Sequence, residues 1–533
     1  MLSGTLLLAC APAFAATRAP RPSAVAAPAQ LEAIRAYIHG AWDTLTRSNA
    51  SLAFAAADPK LQANGAKPVV YLPADEDPVA VRARLKAEMR PDDRARIDLR
   101  VLPDGLADAS DGLLYVPKPY VVPGGRFNEL YGWDSYFILV GLVRDGRLQL
   151  AKDVTDDFLY EVRHYGRVLN ANRTYYLTRS QPPFLAAMVR AVYARTKDRP
   201  WLENAVPALE STYRYWTEAP HLVAATGLSR YYDSGEGPAP EVLAGEKDAK
   251  GRTHYDRVKE YLKTHKLPEY PLDKEYDAKT DSLTPFFYKN DRSMRESGFD
   301  PSDRFGPFNS EAIDINPVCL NSLLYRMETD MAAIERELGD GGKAGEWLGR
   351  ATARRERVNR LLWDEKDGLY YDYDFTRKAL RRYPFVTTFY PLWAGLADPR
   401  QAARVRANLP LFERPGGLVT SDRTTGEQWD APYGWAPMQL IGVEGLRRYG
   451  FHEDADRVSV EFLSMVLKEF IAHHAIVEKY DVVRRTSQLA AGLKFGYGSN
   501  EIGFGWTNAV FEELYARLPK RGQARVLDLN SDQ

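Results

Sequence analysis

Five carboxylates set among Gly, Pro and aromatic residues are the best catalytic material in this 533-residue chain: Asp134, Asp300, Asp430, Glu478 and Glu501. Cleaving a glycosidic bond takes two such groups. One is a protonated acid at the leaving oxygen, the other a carboxylate on the opposite face that activates water, about 6.5–9.5 Å away when configuration inverts. The acid needs burial or a nearby negative charge to keep its proton near neutral pH. Arg126 and Arg179 add permanently charged forks that hold hydroxyls and keep a neighbouring carboxylate ionised. Other chemistries find less to work with. His473 and His474 are adjacent and would point apart on a helix, and there is no HExxH, EF-hand loop or glycine-rich phosphate loop. A GxSxG elbow is absent too, so neither metal nor cofactor is expected. Each candidate also has a plain structural role open to it. Asp300 before Pro301 fits a helix cap, and Glu478 after the apolar run 470–477 fits a helix end, although an acid there is mildly unfavourable. Arg126 and Arg179 would serve as buried ion-pair partners, Trp133 and Trp429 as core, and Cys319 as an inert buried thiol.

These residues need elements to hold them, and the dominant period from about Leu31 onward is helical. Apolar residues recur at i, i+3, i+4 over 137–144, 148–166, 184–196, 201–216, 320–338, 343–363, 401–409, 435–450, 455–472 and 508–518. Connections within pairs are short, which makes neighbours antiparallel. Strand-like runs are few, a hairpin around Gly368–Phe375 being one, and no βαβ alternation is apparent. Five polar and aromatic segments stand just before helical runs: 123–136, 179–184, 297–305, 428–437 and 503–508. If the hairpins curl into a ring, these loops gather at one end, where helix N-termini also offer unpaired N–H donors. The Lys-, Asp- and Tyr-rich stretch 235–291 shows one helical run, 254–265, and reads as a long excursion over the pocket rim.

Composition narrows the class. Lys plus Arg (71) nearly balance Asp plus Glu (72), giving a net charge of −1, so nothing calls for nucleic acid or an anionic membrane as partner. Hydrophobic residues at 45% and charged residues at 27% are ordinary for a soluble globular chain. The 12% aromatic content points weakly to carbohydrate, because aromatic faces stack on sugar rings. The apolar run 1–15 ends in Ala13-Phe14-Ala15, a small-x-small pattern that reads as a signal peptide and predicts a periplasmic or secreted protein. Leu7-Leu8-Ala9-Cys10 also loosely fits a lipoprotein signal. Residues 16–30 read as a flexible lead-in, 31–520 as a single domain, and 521–533 as a tail.

Longer motifs carry a resemblance. The run Pro123-Gly124-Gly125-Arg126-Phe127-Asn128-Glu129-Leu130-Tyr131-Gly132-Trp133-Asp134-Ser135-Tyr136 is similar to the first trehalase signature, PGGRFxExYxWDxY. Gln428-Trp429-Asp430-Ala431-Pro432-Tyr433-Gly434-Trp435-Ala436-Pro437 resembles the second, QWDxPxGWAP. Arg179-Ser180-Gln181-Pro182-Pro183, Glu296-Ser297-Gly298-Phe299-Asp300, Glu478-Lys479-Tyr480-Asp481 and Gly503-Phe504-Gly505-Trp506 match intermediate blocks. The chain thus resembles glycoside hydrolase family 37 from about residue 30 to 518.

That resemblance implies an all-α (α/α)6 barrel with short β-hairpin excursions and a long rim insert. It also implies inverting hydrolysis of α,α-trehalose by a monomer that uses water as nucleophile and needs no cofactor. It places Asp300 as general acid and Glu478 as general base. Arg126, Trp133, Asp134, Asn170, Arg179, Ser180, Gln181, Glu241, Gly298 and Trp429 fall at sugar-binding positions. There are departures. Bacterial periplasmic members carry PRPES, with a substrate-binding arginine where this chain has Ala239 in Pro238-Ala239-Pro240-Glu241. Arg295 or a basic residue of the insert is expected to supply that charge. The GGGGEY lid is altered to Lys494-Phe495-Gly496-Tyr497-Gly498-Ser499-Asn500-Glu501, with Glu501 as its sugar-contacting carboxylate in a shifted register. The insert and the block Asp291–Glu296 look more like fungal neutral trehalases. A related α-glucoside as substrate, and a non-catalytic sugar binder, stand as the alternatives.

Overall fold

The computed structural model describes residues 26–58, 67–103, 111–245, 247–248, 250–265, 272–489 and 500–529. Six inner helices form a closed ring: Gly132–Arg144, Leu185–Thr196, Val318–Glu337, Tyr390–Ala394, Ala436–Arg448 and Gly505–Arg517. Each packs on the next, and the last returns to the first. Outside them lie Ala26–Leu45, Leu148–Tyr165, Arg199–Thr217, Gly341–Leu361 and His452–His473, with the short Pro399–Ala407 set against the strand Leu369–Tyr370. This is the (α/α)6 barrel expected.

Sequence decides which layer a helix joins. Gly132–Arg144 reads GWDSYFILVGLVR and is buried on nearly every face, as an apolar helix must be to escape water. Leu148–Tyr165 is amphipathic: Val154, Phe158 and Val162 face inward while Gln149 and Arg163 stay on the outer side. Inner helices also approach closely. A Cβ at Gly141 would fall 2.6 Å from that of Ala509 on the neighbouring inner helix, so only glycine allows the contact. Capping fixes several starts. The Asp198 carboxylate accepts from Trp201 N at 3.1 Å, and Pro200 fills the first turn of Arg199–Thr217.

Several details differ from the sequence reading. The hairpin around 368–375 is two: Trp363–Asp364 pairs with Leu369–Tyr370, and Asp372–Asp374 with Ala379–Arg381. Parallel strands, not expected at all, join Val69–Leu72 to Asp98–Val101 and to Leu113–Leu114, with the helix Pro78–Glu88 in one crossover. Strands of two to four residues are too short for alternation to show. The segment read as a tail holds the helix Lys520–Asp528, which packs on His452–His473 through buried Gly522 and Val526. A helix already begins at Ala26, inside the stretch read as lead-in.

The insert is not a structureless excursion. It carries the expected helix His254–Thr264 and leads into Pro285–Glu296, here called the insert helix and the acid helix. Tyr255, Val258, Leu262, Leu283, Phe287 and Phe308 form a separate apolar cluster that roots it. The expected signal segment 1–15, the lid residues 494–499 and the tail residues 530–533 lie outside the described residues.

Candidate active site

The loops that lead into the inner helices do converge. They enclose a cavity of about 470 Å³, within the range of small-molecule sites. Trp133 and Asp134 enter it from the first turn of Gly132–Arg144, and Trp133 N donates to Gln181 Oε1 at 2.8 Å. The Trp133 ring meets Phe299 edge-on at 5.3 Å and Trp429 at 5.7 Å, while Trp429 stacks on Trp435 at 3.9 Å. These faces make an aromatic floor. Gly298 is what lets the acid loop cross it. Its φ is +78°, and a Cβ there would lie 2.7 Å from Trp133 Cε2.

Asp300 stands on that loop and lines the cavity. Burial pushes its carboxyl up to about 7, against the opposing pull of Arg295 and Arg179. It caps no helix; that role belongs to Ser302, whose hydroxyl accepts from Arg304 N at 3.2 Å. The second signature loop holds it from below. Gln428 Nε2 donates to the Asp300 carbonyl, and Trp429 N donates to Pro301 O at 3.1 Å. Asp430 is a fastener rather than a cavity group. Its carboxylate accepts from Tyr383, Ser421 and Thr425 hydroxyls and from Asp303 N at 3.0 Å.

Glu478 lines the same cavity and is 2% exposed. It does not end a helix, since His452–His473 stops earlier and Glu478 leads directly into a strand. Lys479–Asp481 pairs with Tyr433–Trp435, which ties Glu478 to the second signature loop. Lys479 Nζ sits 3.1 Å from Glu478 Oε2 and 5.2 Å from the Trp435 ring centre. The two arginines expected to keep a neighbouring carboxylate ionised pair with other acids. Arg126 Nε pairs with Glu501 Oε2 at 3.2 Å, and Arg179 Nη2 pairs with Glu241. Asp134, near both Asp300 and Glu478, is pushed well above the usual carboxylate range, by burial first and by those two charges next.

Arg179 is held by Asn170, whose Oδ1 accepts from Nε at 2.6 Å, and lies over the Tyr176 ring. Despite burial, Arg179 and Arg295 keep Glu241 below its ordinary range. Arg295 is gripped by Asp291 and reaches Asp300 Oδ2 at 3.5 Å. Ser180 and Glu501 are not among the residues lining the cavity; the Ser180 N–H donates to Glu296 and its hydroxyl to Val168 O. Glu501 sits beside Arg126, and its backbone carbonyl accepts from Glu478 N at 3.0 Å. The sequence reading missed Tyr176, Gln428, Trp435, Phe504 and Trp506, all of which line the cavity. Most lay in loops already singled out. His254 and Arg257 from the insert helix line it as well, one turn apart on one face, so a basic residue of the insert joins Arg295 there.

With this geometry in hand, comparison with known proteins is direct. A family model described as Trehalase matches residues 98–518. A cytosolic neutral trehalase of Neurospora crassa is 35% identical over 539 residues, spanning 88% of this chain and 71% of the relative. The cytosolic neutral trehalase of Saccharomyces cerevisiae is 37% identical over 434 residues, spanning 74% and 56%. Among solved structures, neutral trehalase Nth1 from Saccharomyces cerevisiae superposes with a TM-score of 0.77 at 32% identity, covering 94% of this chain and 96% of that one. A mannosylglycerate hydrolase of glycoside hydrolase family 63 from Thermus thermophilus shares the fold, at a TM-score of 0.51 and 19% identity over 75% and 96% of the two chains. The neutral trehalases correct the expected export. They are named cytosolic, which goes against the expected periplasmic or secreted location. The small-x-small pattern that suggested otherwise is a weak signal in an Ala-rich stretch.

Proposed function

The chain belongs to the trehalase family, glycoside hydrolase family 37, and from that premise we propose how its cavity hydrolyses α,α-trehalose to two glucose molecules. Asp300 is the general acid and Glu478 the general base. Trehalose lies on the Trp133 floor with its glycosidic oxygen toward Asp300. Arg126, Asn170, Arg179, Gln181, Glu241 and Arg295 hold hydroxyls of the two glucosyl units, and Arg257 and His254 close the side left by Ala239. As the C1–O bond breaks, the Asp300 proton passes to the leaving oxygen. Glu478 takes a proton from a water whose oxygen bonds to C1 from the opposite face, so one β-glucose and one α-glucose leave. Asp300 and Glu478 then return to their starting forms by proton exchange with solvent.

The observation that carries this reading is the unequal surroundings of the two carboxyls. Burial holds a proton on Asp300 up to about pH 7, whereas Glu478 lies against the Lys479 ammonium. Such divergence is how one cavity supplies both an acid and a base. Asp300→Asn and Glu478→Gln are each expected to lower kcat for trehalose by at least about a thousandfold while trehalose binding, followed by calorimetry, persists. A variant keeping more than about a tenth of wild-type kcat removes that residue from its role.

A further inference from the structure

Arg295 poses a problem for the acid. A guanidinium that fully engaged Asp300 would stabilise the ionised carboxylate and strip the group of the proton it must donate. Charge-assisted contacts of that kind run at about 2.7–2.9 Å. Here Arg295 Nη1 stays at 3.5 Å from Asp300 Oδ2. What holds it back is visible one turn earlier on the acid helix. Asp291 takes Arg295 Nε at 3.0 Å and Nη2 at 2.9 Å, a two-pronged grip that leaves only the Nη1 edge toward the acid. The grip is itself braced by the insert. Tyr255 hydroxyl donates to Asp291 Oδ2 at 2.7 Å, and Ala239 N donates to Tyr255 at 2.9 Å. Asp291, Arg295, Tyr255 and Ala239 are all buried.

We propose that Asp291 is a positioning residue: it holds the Arg295 guanidinium in a fork and so keeps that cation from closing on Asp300. The insert, through Tyr255, is the brace for this arrangement. The proposal rests on Asp300 being the general acid. The charged groups around Asp300 are Arg295 from the acid helix, Arg179 from the loop before the second inner helix, Glu241 from the short helix Pro240–Leu243, and Asp134 from the first inner helix. Around Asp291 they are Arg295, Tyr255, Tyr288, His254 and Glu427.

The sign of the effect follows. The alkaline limb of kcat/KM reports the free enzyme's acid. In Asp291→Asn the fork loses its charge, Arg295 turns to Asp300, and ionisation of Asp300 becomes easier. The limb therefore moves to lower pH, by about one unit or more. In Arg295→Gln the opposing cation is gone and the limb moves to higher pH. Because Asp291 acts through Arg295, the double variant keeps the limb where Arg295→Gln puts it. General damage to the fold would not move two limbs in opposite directions.

The experiment is the kcat/KM profile from about pH 5 to 9 for wild type, Asp291→Asn, Arg295→Gln and the double variant. Each is measured on trehalose and on α-glucosyl fluoride, whose leaving group needs no proton. The result expected is opposite shifts on trehalose and none on the fluoride. A limb that stays put or rises in Asp291→Asn overturns the proposal. If Asp291→Asn does not fold, the two Arg295→Gln backgrounds decide: coincident limbs support the proposal, and separated limbs overturn it. Asp300→Asn tests the underlying reading separately, since it should keep fluoride hydrolysis while losing trehalose hydrolysis. Equal loss of both substrates would remove Asp300 as acid and leave the Asp291 result to be judged on its own.

Discussion

Lys479 and Glu478 are consecutive in the chain, both buried, and 3.1 Å apart at their charged ends. Removing one member of such a pair leaves a buried charge without its partner, which costs about 3–5 kcal/mol, whereas removing both costs far less. Lys479→Met is therefore expected to lower Tm by roughly three to five degrees, and Glu478→Gln/Lys479→Met to recover a substantial part of that loss. Additive losses in a thermal-melt cycle would mean the pair is not coupled. Sequence alone found both carboxylates here, because each sits in a polar loop beside aromatic residues. It assigned the neighbouring cations wrongly. Spacing shows that Arg126, Arg179 and Lys479 are available, but which turns to which carboxylate is decided by packing. Glu501 and Glu241 claim the two arginines. Ser180 went astray for a similar reason: Glu296 needs N–H donors, and the Ser180 amide is one of its partners, with Tyr215, His221 and Tyr232.

At the level of elements, the barrel helices were the most legible part, since their apolar period runs over many turns and an error of one residue is diluted. The parallel strands at 69–72, 98–101 and 113–114 were not, being too short to show a period. The insert was read as an excursion over the rim with one helical run, and Tyr255, Val258 and Leu262 of that run are the face that roots it. The acid loop shows how an element depends on one position. Gly298 links the acid helix to Asp300 with a positive φ, and a Cβ added there would lie 2.7 Å from the Trp133 ring. Gly298→Ala meets both obstacles at once. Its expected cost is about 1–3 kcal/mol of stability, with a loss of trehalose kcat/KM that follows from displacing Asp300 and Trp133 together. Wild-type turnover in a Gly298→Ala protein of unchanged Tm would show that neither constraint operates.

For the molecule as a whole, the closed ring explains why residues from Arg126 to Trp506 meet at one end. Five of the six inner helices deliver residues of the loops before them to the same mouth, and the insert covers one side of it with His254 and Arg257. The location read from the first residues did not survive comparison with cytosolic relatives, because a short compositional pattern carries less information than similarity over most of the chain. The central claim is inversion by Asp300 and Glu478 across this cavity, and it has a direct test. Proton NMR of the purified protein with α,α-trehalose, followed from the first minutes before mutarotation, reads the anomers as they form. Equal early signals of α- and β-glucose are the result predicted. Two α-glucose molecules for each trehalose would contradict it, because only a retained configuration gives that product.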